Sequence, residues 1–198
     1  MVTRNVATLV DAPRIKYRQV TALTPKQAQH LIKAARDDRL EAVYLVGLSL
    51  GLRIGKVLGL KWSDINLTTR ELRVQRALQR QTGKGPIEVE TKTARSRRTL
   101  VMPIVLDDAL RRWQVTQVQE RLAAGNLWRT SDFVFTTTIG TPQDSRDVSW
   151  SFHKLLDKAG LPRIRFHARS PDRLRAITGV PCTTSAPAAA AALASAIV

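Results

Sequence analysis

Between Leu40 and Leu50 the chain reads Leu-Glu-Ala-Val-Tyr-Leu-Val-Gly-Leu-Ser-Leu, a segment apolar on most of its sides. A helix of that kind is stable in water only where other elements enclose it, so it must be central. Gly51 follows and suits a left-handed residue closing the helix. Tyr44, in the middle of the segment, reads as a core residue rather than as a reactive phenol.

The elements to be arranged round this helix are legible on both sides of it. Thr24-Pro25-Lys26-Gln27 places a capping Thr before a Pro at the first helical position, with Gln three residues after the cap. The helix so started buries Ala28, Leu31, Ile32 and Ala35. A short helix is expected from about Ile54 to Leu60. The period then changes: Glu71–Gln75 and Ile87–Glu90 alternate as half-buried strands do, with a turn at Thr82–Pro86 between them. Arg98–Met102 gives a third strand, stopped by Pro103. A long helix from about Val105 to Ala124 turns Leu106, Leu110, Trp113, Val118 and Leu122 inward and ends at Gly125. Phe133–Phe135 is a short extended piece. A last helix runs from about Val148 to Ala159 and ends at Gly160. The expected fold is α+β, mainly helical, with a small three-stranded antiparallel sheet inserted between helices.

Three regions are expected. Residues 1–22 form an arm or linker, residues 23–167 the folded domain, and residues 168–198 a divergent tail. Eight of the 18 residues from Pro181 to Val198 are Ala and none is charged, which predicts little tertiary packing.

Charge narrows the choice of partner. Lys and Arg number 32 against 16 Asp and Glu, a net +16. An excess this large repels itself in the folded state, and a polyanion such as a nucleic acid relieves it. Other classes are disfavoured. Cys182 stands alone, so no disulfide framework or Cys-based metal site is expected. His30, His153 and His167 lack zinc spacing. No apolar run approaches the ~18 residues a membrane span needs. The N-terminus lacks the basic-then-apolar order of a signal peptide. The expected setting is reducing and cytoplasmic, with no cofactor and no metal.

Three segments, in order, resemble the tyrosine recombinase, or phage integrase, family. Gly51-Leu52-Arg53-Ile54-Gly55-Lys56-Val57-Leu58-Gly59-Leu60-Lys61-Trp62-Ser63-Asp64-Ile65 is similar to the family's signature T-G-x-R-x-x-E-x-x-x-L-x-W-x-D-I, and Arg53 takes the place of its first catalytic arginine. Ser49 or Leu50 stands where a Thr is usual. Lys56 replaces the usual Glu, placing a like charge three residues from Arg53. Thr91-Lys92-Thr93-Ala94-Arg95-Ser96-Arg97 resembles the family's T-K-T-x-x-S-x-R hairpin, in which Lys92 would be catalytic. Arg95, Arg97 and Arg98 beside it are expected to contact DNA. Arg165-Phe166-His167-Ala168-Arg169-Ser170 begins like the family's F-H-D-L-R-H box, so His167 matches. Ser170 occupies the place of the second arginine, and Arg169 is one residue early.

The resemblance implies transesterification of a DNA phosphodiester through a covalent tyrosine intermediate, without metal. Such a displacement concentrates negative charge on the non-bridging oxygens and calls for fixed cations. An arginine donates two hydrogen bonds to one phosphate, a lysine protonates the leaving oxygen and a histidine orients a proton. Within these 198 residues Arg53, Lys92 and His167 answer to those roles. The attacking group does not: the two tyrosines are Tyr17, in the arm, and Tyr44, in the apolar helix. The motifs stop after His167, as a frameshift or a divergent partner-binding tail would leave them. The chain is therefore expected to bind DNA and to be a truncated catalytic domain, inactive alone, with a full-length recombinase as a further partner. A bacterial or phage origin and association with the nucleoid follow from the resemblance. A non-catalytic DNA-binding regulator and a basic scaffold protein stand as alternatives, and the Arg53 and Lys92 motifs favour the first two readings over the scaffold.

Overall fold

The computed structural model describes residues 23–81, 83, 85–90 and 98–166. Helix α1 (Pro25–Ala34) starts as its sequence requires. The Thr24 hydroxyl accepts from the Gln27 backbone N–H at 3.3 Å, and the Gln27 side chain accepts from the Thr24 N–H at 2.9 Å. Two of the otherwise unpaired amides at the helix start are thus satisfied. Helix α2 (Glu41–Leu50) is enclosed on nearly all sides and ends at Gly51, whose φ of 59° is left-handed. Helix α3 (Ile54–Leu58) follows, then a single 3-10 turn, Trp62–Asp64.

Five strands come next: β1 (Ile65–Asn66), β2 (Glu71–Val74), β3 (Arg76–Gln81), β4 (Gly85–Glu90) and β5 (Arg98–Val101). They form two antiparallel groups, a three-stranded sheet in the order β1-β2-β5 and a β3-β4 hairpin. The small antiparallel sheet is present, but its membership differs from the expectation. The segment at 87–90 pairs with β3, and Ile65–Asn66 is the third strand of the sheet. The chain breaks at Gln75, so β2 and β3, adjacent in sequence, take different partners. Strand β3 was missed because Arg-Ala-Leu-Gln-Arg-Gln buries only Leu78 and shows no clear alternation.

Helix α4 (Ile104–Ala124) packs on α2 through Leu106, Ala109, Leu110 and Trp113 and ends at Gly125, where a second 3-10 turn, Gly125–Leu127, begins. Two residues expected inward are not. Val118 is 53% and Leu122 78% exposed. The inward line after Trp113 runs instead through polar Gln117 and Glu120, at helical spacing. The Gln117 amide accepts from Trp62 Nε1 at 2.7 Å and donates to the Val134 carbonyl and the Thr136 hydroxyl. Glu120 holds Arg39 through two hydrogen bonds, and the Arg39 guanidinium lies 4.9 Å over the Trp113 ring. Hydrogen-bonding demand, not hydropathy, decided that face.

The extended Phe133–Phe135 piece runs beside Lys61, and Trp113 Nε1 donates to the Val134 carbonyl at 2.6 Å. Helix α5 (Ser145–Lys158) begins three residues before the expected start, because Asp144 caps it by accepting from the Arg146 N–H. Nearly all the buried apolar residues described form one core. Tyr44 is at its centre, with Phe152 and Phe166 at ring distances of 5.4 and 6.4 Å. Among the described residues no helix is long and apolar enough to cross a membrane.

Candidate nucleic-acid interface

The turn from α2 to α3 sets the position of Arg53. Gly51 reverses the chain in the left-handed region and Leu52 plugs into the core. Arg53 is then the extended residue that caps α3, its carbonyl accepting from the Lys56 and Val57 N–H groups at 2.8 and 3.1 Å. Its side chain does no capping and is exposed.

Helix α3 lies unusually close to β3. A Cβ on Gly55 would stand 2.6 Å from the Leu78 carbonyl oxygen, and one on Gly59 would stand 2.8 Å from the Ala77 Cα. These glycines are four residues apart, on one helical face, and only their missing side chains permit that approach. The contact fixes Arg53 and Lys56 relative to the hairpin. On the other side, Val74 of β2 pairs with Arg98 of β5, and directly opposed residues share a face of the sheet.

Arg53, Lys56 and Arg98 are near enough to interact through their charges. The Lys56 ammonium is held below the ordinary lysine range, first by partial burial and then by the positive charges of Arg98 and Arg53. Among the described residues none of these three has a carboxylate partner. Three cations nearby do have carboxylate partners. Arg76 is paired with buried Asp64 and, at 3.0 Å, with Glu88; Lys61 bonds Glu88 at 2.9 Å; Arg80 pairs with Asp144. That network ties the β3-β4 hairpin to the Trp62–Asp64 turn and leaves the Arg53 face positive.

Lys92, Arg95 and Arg97, and likewise His167 and Arg169, lie outside the described residues. The structure therefore places Arg53 and Arg98 of the expected site residues. It adds Lys56, which sequence reasoning had noted only as a departure. The available signal was the pair Gly55 and Gly59, whose spacing marks a helix face meant for close approach.

Tyr44 is 0% exposed, and its hydroxyl has no hydrogen-bond partner among the described residues. Burial, and after it the charge of Asp38, push that hydroxyl well above the usual phenol range. It is a core residue and unfit to attack a phosphate at the surface.

The phage integrase family profile matches residues 21–175. A "tyrosine recombinase XerC-like" protein of Caldanaerobacter subterraneus subsp. tengcongensis is 34% identical over 161 residues, covering 76% of this chain and 41% of that protein. An "integrase" of Saccharopolyspora erythraea is 28% identical over 217 residues, covering 84% of this chain and 50% of that protein. This chain thus spans about half the length, or less, of these relatives. Among solved structures, the Tn1549 transposon integrase in complex with transposon right end DNA superposes with a TM-score of 0.65 at 20% identity, covering 98% of this chain and 70% of that one. The XerA recombinase gives a TM-score of 0.56 at 20% identity, covering 83% of this chain and 50% of that one. At these identities the structural likeness speaks for the fold.

Proposed function

The chain belongs to the phage integrase family of tyrosine recombinases, whose business is DNA integration and recombination, and from that premise we propose that its described domain binds double-stranded DNA through the Arg53 face without cleaving it alone. The observation that carries the reading is the set of cations left without carboxylate partners among the described residues at the α3–β5 junction, while Lys61, Arg76 and Arg80 nearby are paired. A phosphate supplies the missing counter-charge, and the planar guanidinium of Arg53 suits it. Lys92, Arg95 and Arg97 sit in the segment joining β4 to β5 and extend the same reading, with Lys92 as proton donor to the leaving oxygen. His167, directly after buried Phe166, takes the proton-orienting role, and Arg169 the weaker claim to the second arginine.

Within the 198 residues the only tyrosines are Tyr17 and buried Tyr44. The chain by itself is accordingly a catalytically incomplete recombinase, able to occupy DNA and to meet a full-length recombinase there. A supercoiled plasmid incubated with the chain should remain uncut, while a gel-shift with duplex DNA should show binding that salt weakens. A covalent protein–DNA adduct on a denaturing gel would overturn the incomplete reading. Because a regulator built on this fold would bind in the same way, the assay is repeated with an intact recombinase present: restored cleavage by the mixture marks a partner in the reaction, and inhibition marks a competitor.

A further inference from the structure

We infer that Lys56 is itself a phosphate-contacting residue, the third member of a cradle formed with Arg53 and Arg98; the inference rests on the DNA-binding reading above.

Three observations meet at this residue. Lys56 stands one helical turn after Arg53, so their side chains project to the same side of α3. Gly55 and Gly59, on the adjacent strip of that helix, seat it directly on the backbone of Ala77 and Leu78, which fixes where the Arg53 and Lys56 side chains start relative to the hairpin. The register of β2 with β5 brings in Arg98, and the two arginines are close enough to disfavour the charge on Lys56.

A half-buried lysine facing two arginines with no carboxylate among the described residues is an unfavourable arrangement in the free protein. A surface lysine escapes such a situation by swinging into water. Lys56 instead is partly buried. The arrangement becomes favourable when one anion sits among the three cations, each then gaining a charge-assisted hydrogen bond. Arginine gives that anion a planar fork and lysine a point charge, so the trio holds a phosphodiester from three directions. The same residue thereby carries opposite signs in the two states: it costs stability without DNA and contributes affinity with it.

The test compares the intact chain with Lys56→Met, Lys56→Arg, Arg53→Ala and Arg98→Ala. Each is titrated with a fluorescent duplex oligonucleotide at several salt concentrations, and each is melted without DNA. Lys56→Met should melt at or above the parent temperature yet bind more weakly. The slope of log affinity against log salt should fall by about one, as expected for one lost phosphate contact. Lys56→Arg should keep the parent slope. Parent-like binding by Lys56→Met, with Arg53→Ala and Arg98→Ala weakened, overturns the role of Lys56 alone. Parent-like binding by all three overturns the DNA-binding face and this inference with it. A Lys56→Met protein that melts below the parent also overturns the inference, since it shows a lysine held for the fold.

Discussion

Phe166 lies against Gly47 so closely that a Cβ at residue 47 would stand 2.5 Å from its ring. The ring is held from the other sides by Phe152, at 5.3 Å edge to face, and by Tyr44. The slot that Gly47 leaves in α2 therefore seats the residue immediately before His167. In an ordinary helix Gly→Ala gains about 1 kcal/mol. Here the methyl group would crowd a packed ring, at a cost of ~1–3 kcal/mol. Gly47→Ala should destabilise the chain in urea denaturation; a stabilised variant would show that Phe166 is free to move.

Arg53→Ala should weaken duplex binding by ~1–3 kcal/mol, the range for losing charge-assisted hydrogen bonds to a phosphate. Arg121→Ala, at the exposed far end of α4, should change it by much less. Anisotropy titrations of both variants at one salt concentration make the comparison. Equal effects would mean that binding is spread over the whole positive surface.

Binding by the parent chain should be steeply salt-dependent. With a net +16, log affinity should fall against log salt with a slope of about −0.9 for each phosphate neutralised. A flat response between low and physiological salt would remove phosphate contacts as its basis.

Asp64→Ala should destabilise the fold by ~1.5–3 kcal/mol, the scale for hydrogen bonds to a charged group. Asp64 is buried and accepts from Arg76 and from the Lys61 backbone N–H. Arg76 keeps Glu88 as a second partner, which holds the loss below that of a fully orphaned buried charge. Thermal and urea unfolding measure it.

Lys56 should also leave a signature at alkaline pH. The charged groups facing it are Arg53, which caps its helix, and Arg98 on β5, and its folded pKa lies below the ordinary 10.5. Between the lowered value and 10.5 the unfolded chain binds more protons than the folded one, so this group's contribution to stability rises with pH there. The stability advantage of Lys56→Met over the parent should shrink as pH climbs through that window. A difference constant up to pH 10.5 would place Lys56 in plain water.

What the sequence revealed and what it hid follow the range of the interactions. The Thr24 capping box, Gly51 and the enclosed α2 were legible because each is decided within a turn or two of the chain. The motif singles out Arg53, and the structure puts that residue, exposed, at the start of α3. The inward face of late α4 was not legible, because Gln117 and Glu120 were drawn in by Trp62, Thr136 and Arg39, partners 19 to 81 residues away in sequence. The exchange of partners at Gln75 was equally hidden, since alternation reports burial and not which strand lies alongside. Lys56 was visible only as a mismatch to a pattern; its meaning needed Arg98, which strand pairing alone brings near.

The contact of α3 with β3 also bears on how the protein tolerates change. Gly55 and Gly59 touch no charge and perform no chemistry, yet every other amino acid adds at least one carbon where the backbone of Ala77 or Leu78 already stands. Random substitution there would wedge helix and hairpin apart and displace Arg53 and Lys56 together. In a mutational scan read by DNA capture alone, these two silent positions should therefore rank beside the arginines themselves, and a map of sensitive sites would outline the hinge of the cradle as sharply as its lining.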